Sequence, residues 1–393
     1  MFSGSVLGER VFSEIKRLCC CGLDETTLLG EVIERLRRVV PFDAYCNSRL
    51  DPLSGLITRS VYEGLGGQKE ARFFLEHLYF EDDLNRFDSI ARSRRRVILV
   101  SEATGGRIER ALRYREFTGP LGLGYELRGV STAGQELWGG LDLSRERGRP
   151  DFDAREVALI RRITPHLGAG LKAAVLRSQA TSEPNGEGVP GMLVLDHHGR
   201  VLHYTVSAER WLRELEDLGA GWQEGNGLPV AVWAVVGALR RTLKPETERD
   251  RAIVPRVCVR ARSGRWLTLQ AERGESHSGR AGGTMILIEP AGSREVAWLN
   301  ATAYGLSSRE EEVVKLIVGG AFTKQISQTL YITEYTVQNH LQNVFEKVGV
   351  QSRRALVKRL FLDNLYPTLF DQESPKGHSS HAVRRPLIGR GLY

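Results

Sequence analysis

What this 393-residue chain lacks narrows the field first. It has 5 cysteines, and three of them, Cys19, Cys20 and Cys21, are adjacent. That is not the spaced, even-numbered framework of a secreted disulfide scaffold, so a reducing compartment is the simpler expectation. Adjacent cysteines on a helix point in different directions, whereas metal sites favour a two-residue gap within each pair. No metal is expected there, and the default role is that of small buried hydrophobes. No window approaches the roughly 18 uninterrupted apolar residues of a membrane span. MFSGSVLGER lacks a basic segment followed by an apolar run, so a cytoplasmic protein without membrane attachment is expected. Charge of one sign is also scarce: 55 Lys and Arg against 48 Asp and Glu give +7, compatible with an anionic partner but too small to identify one. Nucleophile–base pairs, a phosphate loop and metal-ligand spacing are missing, so an enzyme is not expected and no cofactor signature stands out. His197 and His198 have no Cys or second His pair at a supporting interval and read as a solvated hairpin. The acids Glu81, Asp82, Asp83 and Asp88 read as salt-bridge partners of Arg86 and the basic segment from Arg92 to Arg96.

The length suggests two or three domains. Two shifts in composition divide the chain. RSQATSEPNGEGVPG (177–191) is rich in Ser, Pro, Gly and Asn, and PAGSREVAWLNATAYG (290–305) separates a strand-like run from a helix-cap signal. Before the first shift, GERVFSEIKRLCCCG stops at Gly22, and DETTLLGEVIERLRRVV places Leu28, Val32, Leu36 and Val39 on one face. AYCNSRL and GLITRSV form a hairpin pattern, GYELRGVSTAGQELWGGLDLSR two further strands, and DAREVALIRRITPHLGAGLKAAVLRS a long closing helix. Two helices leading into a sheet is the order of a small α+β sensor-like domain. YFEDDLNRFDSIARSRRRV and WGGLDLSRERGRPDFDAREVALIRRITPHL resemble GAF-type domains, which bind small ligands in some proteins and serve as dimerisation scaffolds in others. Tyr79, Phe80, Phe87, Tyr114, Phe117 and Trp138 could line a ligand pocket there or form the core. In the second region, GMLVLDHHGRVLHYT, AERWLREL, VCVRARSGRWLTLQAERG and GGTMILIEPA spell a hairpin, a helix and three strands, an order that resembles a PAS-like domain.

The strongest local signals lie between Leu306 and Leu362. Ser307 to Glu310 is a capping box, and Gly319-Gly320 ends the helix it starts. Thr323 is expected to cap TKQISQTL, Tyr331 and Ile332 to form a turn, Thr333 to cap TEYTVQNHLQNVFEKVG, and SRRALVKRLF to add a fourth helix. In the third of these helices Val337, Leu341, Val344 and Val348 form one stripe, while Tyr335, Gln338, Asn339, Gln342, Asn343 and Glu346 face away. A surface helix without a partner usually shows Glu–Lys pairs; this outer face is mostly uncharged and can donate and accept hydrogen bonds at once. A short helix, a tight turn and a second helix with a polar outer face make a helix-turn-helix, whose second helix is shaped for the DNA major groove.

The spacing of Leu306, Arg309, Glu310, Val313, Leu316, Gly320, Lys324, Ile326, Leu330, Ile332, Thr336, Val337, His340, Asn343, Lys347, Gly349, Val350, Arg353 and Ala355 resembles the LuxR-type C-terminal module of bacterial transcription factors. The whole is then a multidomain α+β protein: a GAF-like α/β sensor or dimerisation domain (1–178), a linker (179–188), a PAS-like α+β domain (189–291), a second linker (292–305), an all-α four-helix LuxR-type helix-turn-helix domain (306–365) and a disordered tail (366–393). Double-stranded DNA, a second copy of the chain and RNA polymerase are the partners this implies, with a small-molecule ligand open for the N-terminal domains.

Physical chemistry suggests roles within the module. Thr323 and Lys324, beside free helix amides, suit a phosphate. Thr333, Tyr335 and Thr336 suit the DNA backbone, and Gln338, Asn339 and Gln342 can reach base edges, where an amide can pair with adenine. Asn343 and Lys347 suit phosphate or the helix's own packing. Relatives often carry Lys at the position of Gln338, Asn at Thr323, Glu at Gln325 and Ala at Ser327, so site preference does not transfer. Eight basic residues against five acids between Leu306 and Leu362 predict weak binding by one module and a need for two half-sites. An alternative reading keeps the N-terminal part as a ligand or redox sensor whose helix-turn-helix serves mainly for assembly with another regulator.

Overall fold

The computed structural model describes residues 3–362 apart from 80–85, 94, 135, 181–187, 216–226, 246–247, 252, 275–282, 293–303 and 305. Parts of the expected linkers (181–187 and 293–303), the expected tail (366–393) with 363–365 before it, and the acids Glu81, Asp82 and Asp83 lie outside the described residues.

Helices α1 (Ser3–Leu18) and α2 (Glu25–Leu36) open the chain. Asp24 starts α2 by accepting the Thr27 amide at 3.0 Å, and Leu28, Leu29, Val32, Ile33 and Leu36 bury one helical stripe. A five-stranded antiparallel sheet follows from β1 (Ala44–Leu50), β2 (Ile57–Glu63), β3 (Val97–Leu99), β4 (Leu123–Ala133) and β5 (Glu136–Glu146), in the order β2-β1-β5-β4-β3. Between β2 and β3 run α3 (Gln68–Phe73), a wider π-type turn (Phe74–Leu78) and α4 (Phe87–Arg92); α5 (Val100–Ala103) and a second π-type turn (Tyr114–Thr118) precede β4. The closing helix α6 (Ala154–Ala180) lies on β4. Its Gly168 backbone sits so close to the sheet that a Cβ there would fall 2.4 Å from the Thr132 carbonyl oxygen. Helix α6 therefore continues two residues into the segment expected as a linker, because nothing in RSQA prevents another half-turn.

The second sheet contains β6 (Gly191–Leu195), β7 (Val201–Tyr204), β8 (Arg256–Arg260), β9 (Trp266–Arg273) and β10 (Thr284–Pro290), in the order β7-β6-β10-β9-β8. Helices α7 (Val206–Arg213), α8 (Val230–Leu243) and α9 (Glu248–Arg251) are inserted between its hairpin and its last three strands. Numbered within each unit, both sheets have the order 2-1-5-4-3. The expected fold class, two α+β units and an all-helical C-terminal module, is the one observed.

The two sheet units share one apolar cluster. Leu50, Ile57, Leu75 and Phe87 of the first pack with Val232, Val236, Leu267 and Ile288 of the second. Helix α8 is the bridge: Ala231 to Leu239 are buried in an unbroken run, as a helix that is apolar all round requires. Polar ties close the seam. Asp250 lies 3.7 Å from Arg86 and 3.0 Å from Arg241, Arg240 donates to Glu76 at 3.2 Å, and the Arg72 guanidinium stacks 4.4 Å from the Trp233 ring centroid. Arg49, fully buried, reaches the Cys258 carbonyl at 3.4 Å.

Of the aromatics expected to line a pocket or fill a core, Phe87 and Trp138 are core residues. Tyr79 is half-buried and donates to the Gly55 carbonyl at 2.8 Å. Phe117 borders a pocket, half-buried Tyr114 sits under the Arg147 guanidinium, and Phe80 lies outside the described residues. The cysteine run departs from expectation, since Cys19 is buried while Cys20 and Cys21 are exposed. The run follows the end of α1 in a turn, and only its first member faces the core. Burial pushes the Cys19 thiol up to about 12, which removes it from thiolate chemistry near neutral pH. Asp88 pairs with Arg86 and Arg92 as expected, at 3.1 and 2.7 Å.

The C-terminal module has α10 (Ser308–Val318), α11 (Thr323–Leu330), α12 (Glu334–Val348) and α13 (Arg353–Val357), the last continued by a π-type turn (Lys358–Leu362). Leu306, Val313, Ile326, Val337, Leu341, Val344 and Leu356 form its separate core.

Gly237 on α8 provides a direct test of the seam. A Cβ there would lie 2.2 Å from the Leu75 carbonyl oxygen, so Gly237→Ala forces α8 off the first unit and is expected to lower stability by about 2 kcal/mol. Gly8→Ala, on an exposed part of α1 with open space around it, is expected to raise stability slightly. Thermal denaturation of the two variants checks the contrast.

Candidate nucleic-acid interface

The module is assembled from local signals, several of which cross between helices. Ser307 starts α10: its side chain accepts the Glu310 amide at 3.3 Å, and the Glu310 carboxylate accepts the Ser307 amide at 2.6 Å. Lys347, near the end of α12, donates to the same carboxylate at 2.6 Å. Partial burial works to raise the Glu310 carboxyl, but the hydrogen bonds from Lys347 and Ser307 outweigh it and hold the group below its ordinary value. Arg309 donates to the Leu330 carbonyl at 2.6 Å, satisfying an orphan acceptor at the end of α11.

The start of α11 differs from expectation. The N-cap is Phe322, not Thr323, and the cap bond comes from the other direction, with the Gln325 side chain accepting the Phe322 amide at 2.8 Å. Thr323 is the first helical residue, and its hydroxyl is occupied by helix-to-helix bonds: it accepts from Gln338 Nε2 at 3.3 Å and from Arg353 Nη2 at 2.7 Å. Lys324 is exposed at the same helix start. Tyr331 makes the turn with φ 53° in the left-handed region, 95% exposed, a conformation that costs a non-glycine residue roughly 1 kcal/mol.

Thr333 caps α12 as expected, accepting the Thr336 amide at 3.1 Å, and its hydroxyl lies 2.8 Å from that of Thr336. Gly349 ends the helix at φ 72°. The helix has 15 residues and is about 22 Å long at 1.5 Å per residue. Val337, Leu341, Val344 and Val348 are buried. Tyr335, Gln338, Asn339, Gln342 and Asn343 are exposed, and His340 is half-buried beside the apolar stripe. Lys324, Thr333, Tyr335, Gln338, Asn339, Gln342 and Asn343 are thus exposed and Thr336 half-buried at this end of the module. Lys347 stands apart because its ammonium is committed to Glu310. Sequence reasoning missed the locking roles of Arg309 and Arg353, which depend on which helices meet.

Among the described residues no group of three or more His, Cys, Asp or Glu is arranged to hold a metal ion. No helix there is long and apolar enough to cross a membrane.

The profile described as "Bacterial regulatory proteins, luxR family" matches residues 304–360, which contain these four helices. "Spore germination protein GerE" of Bacillus subtilis (strain 168) is 44% identical over 55 residues, spanning 14% of this chain and 74% of GerE. The chain belongs to the luxR family of bacterial regulatory proteins. "Transcriptional regulatory protein DegU" of Brevibacillus brevis is 40% identical over 52 residues, but the match covers only 22% of its length. Among solved structures, GAF3 from Slr1393 of Synechocystis sp. PCC6803 aligns over 40% of this chain and 100% of its own, at 17% identity and a TM-score of 0.31; a likeness of that size carries no argument. The luxR-type module makes the protein a DNA-binding transcriptional regulator.

The shared Glu310 contact predicts acid sensitivity within the module. A carboxyl lowered by folding contributes stability above its unfolded pKa, near 4.5, and loses it as pH falls through the folded value. Glu310→Gln is therefore expected to weaken amide protection in α10 about tenfold at pH 7. The difference from the parent protein should shrink as pH falls below about 4.5 and through the lower folded value, as hydrogen exchange on the full chain would register.

Proposed function

We propose that this luxR-family regulator binds a two-fold related DNA site as a homodimer and reads it through α12. The division of that helix carries the reading: one stripe is fully buried in the module's core, and the opposite face offers exposed, uncharged amides. A helix held by its inner face and carrying adaptable hydrogen-bonding groups outside suits the major groove. Gln338, Asn339 and Gln342 are the base-reading groups. Thr323, Lys324, Thr333, Tyr335, Thr336 and Asn343 position the helix on the sugar-phosphate backbone, and Lys347 supports the helix from within.

The module carries few cations for phosphate contacts. Eight basic side chains stand against five acids between Leu306 and Leu362, and Lys347 and Arg353 are already engaged within the module. One copy gains little from counterion release and should show a shallow salt slope. Two half-sites supply the missing affinity. The two sheet units (1–178 and 189–291), joined through α8, are the sensory part in this reading; they respond to a small molecule and change how two helix-turn-helix modules are spaced or exposed. RNA polymerase is the machinery on which the bound dimer acts.

Selection of bound sites from random DNA by the full-length protein gives the motif, half-site spacing and symmetry. On the selected site, Gln338→Ala and Asn339→Ala are expected to lose about 1–3 kcal/mol of discrimination each. Lys324→Ala should weaken selected and random duplexes alike. Equal losses on both duplexes for all three variants overturn the assignment of roles. No sequence-selective complex at moderate salt would instead favour a module used for assembly.

A further inference from the structure

Phe322, the residue before α11, holds a large apolar ring in water. It is 73% exposed, whereas Phe73, the next most exposed phenylalanine among the described residues, is 37% exposed. A single exposed apolar group is ordinary on a protein surface, so the setting has to decide its meaning. The backbone that carries the ring is fixed at both ends. Its amide donates to Gln325 Oε1 at 2.8 Å, its carbonyl accepts the Ile326 amide at 2.9 Å, and its φ and ψ are −81° and 161°. A ring on such a stalk has two side-chain torsions left to order, so a contact with it costs little entropy.

The next two residues indicate what the ring would meet. Thr323 accepts the Gln338 amide at 3.3 Å, which brings the start of α11 against the face of α12 proposed to read bases. Lys324 is exposed at the same helix start and suits a phosphate. Consecutive Cα atoms are about 3.8 Å apart, so Phe322 stands beside both. The group that joins a base to its phosphate is the deoxyribose, and its C–H surface is the apolar part of the DNA backbone. The module is also short of cations, because Lys347 and Arg353 are engaged within it. An apolar contact adds affinity that phosphates do not supply.

We infer that Phe322 is a further DNA-positioning residue, which packs its ring on a deoxyribose next to the base read by Gln338. The inference rests on the proposed reading of DNA by α12. The contact carries no charge, so it is indifferent to salt, and each copy of the chain makes it once on its own half-site. It fixes how deep the start of α11 sits on the backbone, and so how far the Gln338 amide reaches into the groove.

The test measures full-length protein on its selected duplex over a range of salt. Phe322→Ala is expected to bind about tenfold more weakly per half-site, the worth of burying part of one ring. Its slope of log affinity against log salt should match the parent's, whereas Lys324→Ala should lower that slope by about 1 per copy. The thermal midpoint of Phe322→Ala should also match the parent's, since the cap bond to Gln325 uses the main chain. Single ribonucleotides placed along the site add a hydroxyl to one sugar at a time. At the contacted sugar the hydroxyl should weaken the parent more than Phe322→Ala, a comparison in which changes in the duplex itself cancel. Replacing thymine by uracil, which removes a base methyl, should show no such coupling. Unchanged affinity, a shallower salt slope, a lowered midpoint, or coupling to a thymine methyl in place of a sugar each overturns the proposal. Gln338→Ala on selected and random duplexes keeps the two readings apart. If it loses discrimination while Phe322→Ala binds as the parent does, the Phe322 contact alone fails; if it keeps discrimination, the reading by α12 fails and this proposal with it.

Discussion

Helix α8 is the constraint on which the arrangement of the first two units depends. Nine consecutive buried residues, Ala231 to Leu239, leave it no face for water, so it must be enclosed on every side. The second sheet covers one side, through contacts with β8 and β9, and the first unit covers the other, through β2 and the π-type turn at Phe74–Leu78. A separated second unit would expose half of an apolar helix. Full burial of a Val or Leu side chain is worth about 1.5–3 kcal/mol, and α8 contributes several at this seam. The two units are consequently joined through one shared apolar element.

The polar groups of the seam set its geometry more than its strength. Buried charge pairs roughly offset their own desolvation, so Arg86, Arg241 and Asp250 add little net attraction. They penalise every alternative docking in which one of them loses its partner. Arg49 works in the same way between β1 and the Cys258 carbonyl. Apolar burial on α8 supplies the adhesion, and the buried ions supply the register.

Much of the C-terminal module was legible in the sequence because its signals are local. Ser307, Thr333 and Gly349 act within one turn of their own helices, and the stripe of Val337, Leu341, Val344 and Val348 follows from helical spacing alone. Phe322 displaced Thr323 as a cap because Gln325 supplies the bond through its side chain, a swap invisible to a rule that looks for a hydroxyl. The sheet units were less legible. β3 has three residues, too few for a pattern, and the alternation on β1, β4 and β5 is masked by buried Asn47, Arg49, Glu126, Arg128 and Asp142. Those polar side chains are inside because a second unit and a charge cluster surround them, and neither can be read from one strand. Nor can spacing show that Ala231 to Leu239 would be enclosed by two sheets.

The Thr323 hydroxyl receives both Gln338 and Arg353, so an amide in the second turn of α12 is held by two other helices. The bond to Thr323 favours one orientation of the exposed Gln338 amide, and ordering a side chain in advance lowers the entropy cost of any contact it makes. If Gln338 reads a base as proposed, operator preference depends on three helices together. Transplanting α12 alone onto a relative with a different residue at the Thr323 position would move the side chains without the hydroxyl that points one of them. On the same proposal, a specificity swap would carry α11, α12 and the start of α13 together.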